Sequence, residues 1–200
     1  NGGTLVATFK TAFANENVKV SHEMQPHILS NCFGISYQQF TFPKNTGLSG
    51  SIINGTAKGA DEKAEAKIFM ELLMPQEAEV LASYDHYNWK EYAAITKNHY
   101  GKGTAIYIGC MTDDNTLKAV LTEALNSAEV EIPEYSWPVI VRKGTNDLGK
   151  YVRYILNYSA EEQNVVYHGA DGTELFSEES VQDGESITVL PWNLKIVEEA

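Results

Sequence analysis

Two short apolar runs constrain the fold of this chain more than any other feature. Thr4–Phe9 and Thr104–Gly109 combine apolar and β-branched residues and are each preceded by a glycine-containing turn. Such runs predict strands that are buried on both faces. Strands of this kind occur in sheets that helices cover, so the first part of the chain is predicted to be an α/β domain.

A helix is predicted directly after the second run. Asp113 or Asp114 would cap it, and it would end near Ser127. Apolar residues recur along it at helical spacing. The residues expected on its inner face are Leu117, Val120, Leu121 and Leu125.

Shorter elements fill the rest of the first 128 residues. Pro26 and Gly34 bracket a short predicted helix, His27–Phe33. Alternation and β-branched or aromatic composition predict further strands. These are Ile35–Phe42, Ala66–Leu73, Glu79–Tyr84 and Tyr92–Thr96.

The pattern changes near Val130, where Pro133 and Pro138 punctuate the chain. Short alternating runs then follow at intervals of roughly ten residues without helices, which predicts a small antiparallel β-sandwich. The predicted fold class is therefore α/β followed by all-β. The predicted domains are 1–128 and 129–200. The runs are 139–142, 151–158, 163–168, 173–176, 187–190 and 194–197.

The charge balance excludes two classes of partner. Against 15 Lys and Arg stand 27 Asp and Glu, a formal net charge of −12. Nucleic-acid binders and proteins on anionic membranes need basic surfaces, so neither partner is expected. A neutral ligand such as a sugar, or another protein, is compatible with this charge.

The cysteines give one catalytic hypothesis. Cys32 and Cys110 are far apart and lie beside apolar residues, so both are expected to be buried thiols. Cys110 follows a predicted strand and precedes a helix, as a nucleophile does in an amidotransferase-like enzyme. Met111 occupies a position where a sharp nucleophile turn needs a small residue, so this function is a minor alternative.

The remaining motifs do not indicate a phosphate-binding or metal-binding site. Gly101-Lys102-Gly103 lies between two predicted strands, so it is interpreted as a hairpin turn and not as a phosphate loop. The histidines show no metal-ligand spacing. No catalytic, cofactor-binding or metal-binding residue is therefore predicted. The five histidines are His22, His27, His86, His99 and His168.

Aromatic residues cluster within fourteen positions, from Tyr87 to Tyr100. They include Trp89, Tyr92 and His99. Core or interface packing is the favoured interpretation, because aromatic residues dominate both. A carbohydrate contact is the alternative, since sugar C–H groups stack on aromatic faces.

Several motifs resemble one family in the correct order. Ala78–Tyr84 reads AEVLASY, and Tyr92–Gly109 contains the pattern A-x-T-x-N-x-Y-GKG-x-A-x-Y-x-G, from Ala94 to Gly109. With Gly2–Thr8 they resemble the trimerisation domain of glycoside hydrolase family 42 β-galactosidases. Tyr151–Asn157 and Leu190–Trp192 resemble the C-terminal β domain of that family.

The resemblance implies a flavodoxin-like, class I glutamine amidotransferase-like partial domain followed by the sandwich. It implies a non-catalytic assembly or support fragment of an enzyme that hydrolyses terminal β-D-galactose residues with retention. The parent would form trimers and carry its catalytic glutamates on a TIM barrel outside this chain. A carbohydrate-binding module, testable through Trp89 and Trp192 fluorescence, is the main alternative.

The resemblance also predicts an exposed sheet edge. In a flavodoxin-like sheet of order 2-1-3-4-5, Thr4–Phe9 would be the third strand, and its inner neighbour would lie upstream. Its unpaired N–H and C=O groups would favour association. We therefore expect this edge to be covered by a second copy of the chain or by residues 11–65.

Overall fold

The computed structural model describes residues 2–54, 64–130, 132 and 135–200. The chain divides into two compact units, Asn1–Ile132 and Pro133–Ala200. In the described part of the chain, none of the helices has the length and apolar character that a membrane span requires.

Strands dominate the first unit. Its helical segments are a 3-10 turn at His27–Leu29 and the helices α1 (Ser30–Phe33), α2 (Ser51–Asn54) and α3 (Asp114–Ser127). Its strands are β1 (Gly3–Thr8), β2 (Ile35–Ser36), β3 (Phe40–Thr41), β4 (Gly47–Ser49), β5 (Ala66–Glu71), β6 (Met74–Pro75), β7 (Glu79–Asp85), β8 (Ala93–Tyr100), β9 (Gly103–Ile108) and β10 (Cys110–Thr112).

A five-stranded sheet of order β1-β9-β8-β7-β4 organises this unit. β1 runs parallel to β9, with Gly3 opposite Gly103 and Thr8 opposite Ile108. The other three pairs are antiparallel. The sheet is therefore mixed, and its single parallel pair joins the two predicted strands. Burial is confirmed for the last four residues of β9, but the prediction is wrong for β1, in which Ala7 alone is buried.

β1 forms one edge of that sheet. Among the described residues no strand pairs with its outer side, which agrees with the predicted edge position. The segment after β1 folds back on itself instead, with a bridge between Ala14 and Val20, so it does not add a strand there. Cover by a second copy stays a prediction.

Two apolar cores flank the sheet. On one side Ile106 and Ile108 pack with Val120 of α3, and all three are almost inaccessible to solvent. On the other side Phe33 of α1 packs against Tyr107, with ring centroids 5.0 Å apart. Successive side chains of β9 point to opposite faces of the sheet, so this strand contributes residues to both cores.

Two other sequence predictions need correction in this unit. Ile35–Phe42 is not one strand but the two short strands β2 and β3, which pair with different partners. On α3 the buried residues are Thr116, Val120 and Ala124, whereas Leu117 and Leu121 are exposed. Small side chains let this helix face approach the sheet closely, so the largest apolar residues do not mark it.

The second unit contains strands and no helix among its described residues. They are β11 (Val139–Thr145), β12 (Tyr151–Asn157), β13 (Gln163–Val166), β14 (Gly172–Glu174), β15 (Ser180–Val181), β16 (Ser186–Val189) and β17 (Leu194–Glu199). A five-stranded sheet of order β11-β12-β17-β14-β15 shares its core with the two-stranded sheet β13-β16. All described pairs are antiparallel, as the alternating runs predict.

Candidate functional sites

A buried carboxylate lies at the centre of the first unit. Glu71, the last residue of β5, is completely inaccessible to solvent. Its side chain accepts hydrogen bonds from the Lys10 main-chain N–H at 2.8 Å and from the Tyr107 hydroxyl at 2.9 Å. Burial raises the pKa of Glu71 above its ordinary value, although these hydrogen bonds oppose the rise.

Tyrosines surround this carboxylate. Tyr37, Tyr84 and Tyr107 are all almost fully buried, and burial together with the nearby Glu71 charge raises the pKa of Tyr37 and Tyr107. The Tyr84 hydroxyl donates to the Glu71 carbonyl at 2.7 Å. The cluster is closed to solvent, so it joins β5 to its neighbours and does not form a binding pocket.

Cys110 lies in this interior and does not have the properties of a nucleophile. It is 1% exposed, and burial raises the pKa of its thiol to about 12. A reactive cysteine needs both access and thiolate character. Cys32 is only half-buried, so the prediction that both thiols are buried is wrong for Cys32.

Asp113 has a structural role, because it is the N-cap of α3. Its carboxylate accepts hydrogen bonds from the Thr116 N–H at 2.9 Å and the Thr116 hydroxyl at 2.7 Å. Burial alone would raise the pKa of Asp113, but these hydrogen bonds outweigh burial and lower it. Among the described residues no cluster of three or more His, Cys, Asp or Glu could hold a metal ion.

The aromatic group of residues 87–100 does not assemble into one site. Trp89 and Tyr92 pack against the main core, and Tyr87 is 82% exposed in the loop before β8. Tyr100 lies at the far end of β8 from Tyr92, about 25 Å away at the usual strand rise. The strand itself separates residues that are close in sequence.

A different aromatic surface lies at one end of the second unit. Trp137 precedes β11, Tyr158 follows β12 and Trp192 precedes β17. The register places these positions at the same end of the sheet, because Val139 pairs with Asn157 and Leu156 pairs with Leu194. We call Trp137, Tyr158 and Trp192 the aromatic platform.

The rings of the aromatic platform are open to solvent. Trp137 and Trp192 are 71% and 69% exposed, and Tyr158 is 43% exposed. The Trp137 and Tyr158 rings are stacked, with centroids 5.9 Å apart and planes 22° apart. The three residues are distant in sequence, so only the strand register could have revealed the group.

Asn157 holds the backbone beneath the platform. Its side chain is almost fully buried and its Nδ2 donates to the carbonyls of Glu161, Val189 and Leu190 at 2.7, 3.1 and 3.1 Å. Its Oδ1 accepts from the N–H of Ser159 at 3.0 Å. One carboxamide therefore ties the turn after β12 to the segment that leads to Trp192.

Comparison with known proteins identifies the class to which the chain belongs. Residues 1–131 match the model of the β-galactosidase trimerisation domain. The chain therefore belongs to this family, as the resemblance of its motifs predicts.

Similar proteins include two β-galactosidases of which the chain matches one part. It is 27% identical to β-galactosidase Pbg of Clostridium perfringens, over 98% of this chain and 29% of that protein. It is 26% identical to β-galactosidase BgaA of Clostridium cellulovorans, over 98% of this chain and 28% of that protein. The chain thus spans less than a third of these relatives.

Solved structures share the fold along the whole chain. A β-galactosidase from Bacillus circulans sp. alkalophilus superposes with a TM-score of 0.82 at 23% identity, over 100% of this chain and 29% of that one. The GH42 β-galactosidase Gan42B from G. stearothermophilus gives a TM-score of 0.80 at 21% identity, over 100% of this chain and 28% of that one.

Proposed function

We propose that this chain is a non-catalytic assembly and support region of a β-galactosidase. The match of residues 1–131 to the trimerisation domain carries the proposal. The names of the relatives support a β-galactosidase activity for the parent. We propose that the parent releases terminal β-D-galactose residues with retention. The parent's catalytic residues would lie on a TIM barrel outside this chain.

The geometry of the acidic side chains supports a non-catalytic role. Glycoside hydrolysis needs two carboxyl groups that face one sugar across a cleft. Glu71 is closed to solvent, Asp113 caps a helix and Glu174 is bound by main-chain N–H groups. These three carboxylates are committed to the fold.

Features of the first unit support self-association, which in the parent would produce a trimer. The outer edge of β1 has no strand partner among the described residues. Unpaired edges favour contact with another chain. We further propose that β1 and β9 belong to a flavodoxin-like sheet, with β8, β7 and β4 as an antiparallel extension.

The test compares this chain with the longer gene product that the proposal requires. The longer protein should hydrolyse a chromogenic β-galactoside, release β-galactose first when followed by NMR, and have the mass of a trimer in light scattering. The 200-residue chain should be inactive at equal molar concentration. Activity that copurifies with the chain alone, or a longer protein without galactosidase activity, would overturn the proposal.

A further inference from the structure

We infer that the aromatic platform of the second unit is a non-catalytic binding surface for neutral β-galactosides. Trp137, Tyr158 and Trp192 come from three separate strand ends and lie at the same end of the sheet, where the Trp137 and Tyr158 rings stack. Each exposes much of its side chain. Exposed aromatic faces carry partial negative charge, which attracts the polarised C–H groups of a sugar.

Hydrogen bonds hold the backbone under the platform in one conformation. The buried Asn157 fixes the turn that carries Tyr158 through its hydrogen bonds to Glu161, Val189 and Leu190. The Trp192 N–H donates to the Ser159 carbonyl at 3.1 Å, and the Tyr158 N–H donates to the Pro138 carbonyl at 3.0 Å. A surface that is already ordered loses less conformational entropy when a ligand binds.

The surroundings favour a neutral, hydroxylated ligand. Ser136 and Asn193 are exposed beside the two tryptophans and offer hydrogen-bonding groups. Glu161 and Glu162, also exposed, follow Tyr158 closely in sequence. Their charge disfavours phosphorylated or acidic sugars, as does the overall charge of −12.

Galactose suits this surface because its axial O4 leaves H3, H4 and H5 together on one apolar face. That face can lie flat on an indole ring while the hydroxyl groups at the ring edge reach polar neighbours. The choice of galactosides over other neutral sugars rests on the proposed function. The existence of the aromatic platform does not.

The experiment titrates the 200-residue chain with β-1,4-galactobiose and lactose, and with maltose as the α-linked glucose control. Calorimetry would measure affinity and saturation-transfer NMR would identify the sugar protons in contact. We expect saturable galactobiose binding with strongest transfer to H3, H4 and H5. Trp137→Ala and Tyr158→Ala should each weaken it about tenfold or more, as loss of an aromatic anchor does.

Phe176→Ala is the matched control, because Phe176 is a 70% exposed aromatic residue of the same unit outside the platform. It should leave the affinity unchanged. Absence of saturable binding, equal binding of maltose, or full affinity in folded Trp137→Ala would overturn the inference. If Trp137→Ala does not fold, Trp192→Ala takes its place. Full affinity in folded Trp192→Ala, or no saturation transfer to the sugar protons, would then overturn the inference.

A competing occupant is another part of the parent chain. Fluorine-19 NMR of the longer gene product labelled with fluorotryptophan would detect it, because the resonance that is lost in Trp137→Phe reports Trp137 and would be protected from a soluble paramagnetic probe if that ring were covered. Protection of Trp137 in the parent would overturn the inference. A negative sugar titration leaves the proposed function intact, since that depends on the activity and trimer mass of the longer protein.

Discussion

The Tyr107 hydroxyl donates a 2.9 Å hydrogen bond to the carboxylate of Glu71, and both side chains are inaccessible to solvent. A strand of the main sheet is thereby joined to a strand of a second sheet, since Tyr107 belongs to β9 and Glu71 to β5. A buried carboxylate is costly when it is ionised. This relationship makes the first unit sensitive to pH.

Stability of the first unit should fall as pH rises. The pKa of Glu71 is higher in the folded chain than in the unfolded chain, so folding favours the protonated form. The stabilisation is complete below the ordinary glutamate pKa and is lost as pH rises through the raised value. Glu71→Gln preserves the size and shape of the side chain but removes its ionisable group.

Urea denaturation at pH 5 and pH 8 would measure this effect. Between these pH values the free energy of unfolding should fall more for the wild type than for Glu71→Gln. Glu79→Gln, at an exposed position of β7, is the control and should follow the wild type. Equal pH dependence in wild type and Glu71→Gln would contradict the prediction.

Glu174 should have the opposite effect in the second unit. Its burial alone would raise its pKa, but hydrogen bonds from the N–H groups of Ser177 and Ile196 lower it to about 2. The stabilisation from ionised Glu174 is therefore present above the ordinary glutamate pKa and is lost as pH falls towards about 2.

Glu174→Gln should destabilise the second unit by about 3 kcal/mol at pH 7 and have little effect near pH 2. Hydrogen exchange at amides of β14 and β17 would report the change locally. The exposed Glu162 provides the control Glu162→Gln, for which no change is expected. A constant penalty for Glu174→Gln at both pH values would rule out the titration as its source.

The two cysteines should differ greatly in reactivity. Cys32 is half-buried, whereas Cys110 is 1% exposed with its pKa raised to about 12. A disulfide reagent at pH 8 should therefore label one thiol of the native chain and the second only after denaturation. Cys32→Ser should remove the native-state labelling. Rapid, saturable labelling of Cys110 would revive the amidotransferase-like alternative.

Two glycines allow a controlled test of packing. Gly34 and Gly101 both have φ of +62°, so alanine at either position costs about 1 kcal/mol in backbone strain. A Cβ at Gly34 would lie 2.8 Å from Asn98 Cγ and 2.9 Å from the Ala78 main-chain nitrogen, whereas Gly101 has open space. Gly34→Ala should therefore be less stable than Gly101→Ala by about 2 kcal/mol, measured by thermal unfolding.

Local patterns predicted the strands well and long-range placement poorly. Thr4–Phe9 and Thr104–Gly109 are strands because their composition leaves few alternatives, and Asp113 caps α3 because the N-cap depends on neighbouring residues. The prediction for the inner face of α3 was right for Val120 and wrong for Leu117 and Leu121. The space between helix and sheet, which the sequence of the helix does not reveal, selects the smaller Thr116 and Ala124.

The candidate site was missed for the same reason. The aromatic residues of 87–100 are close in sequence and were therefore considered as one site, but strand β8 separates them. Trp137 and Tyr158 meet only because β11 and β12 pair in one register. Glu71 likewise has the appearance of an ordinary strand residue until Lys10 and Tyr107 surround it.

The pairing of Gly3 with Gly103 has a consequence for the order of folding. During synthesis β1 emerges from the ribosome before the rest of this unit, yet its only strand partner among the described residues appears about a hundred residues later. The hairpin β8-β9 is local and can form as soon as it emerges, whereas closure of the long loop to β1 is entropically slow. β1 should therefore be among the last elements of this unit to dock. In a nascent chain that ends before β9, β1 would be unpaired and accessible to chaperones.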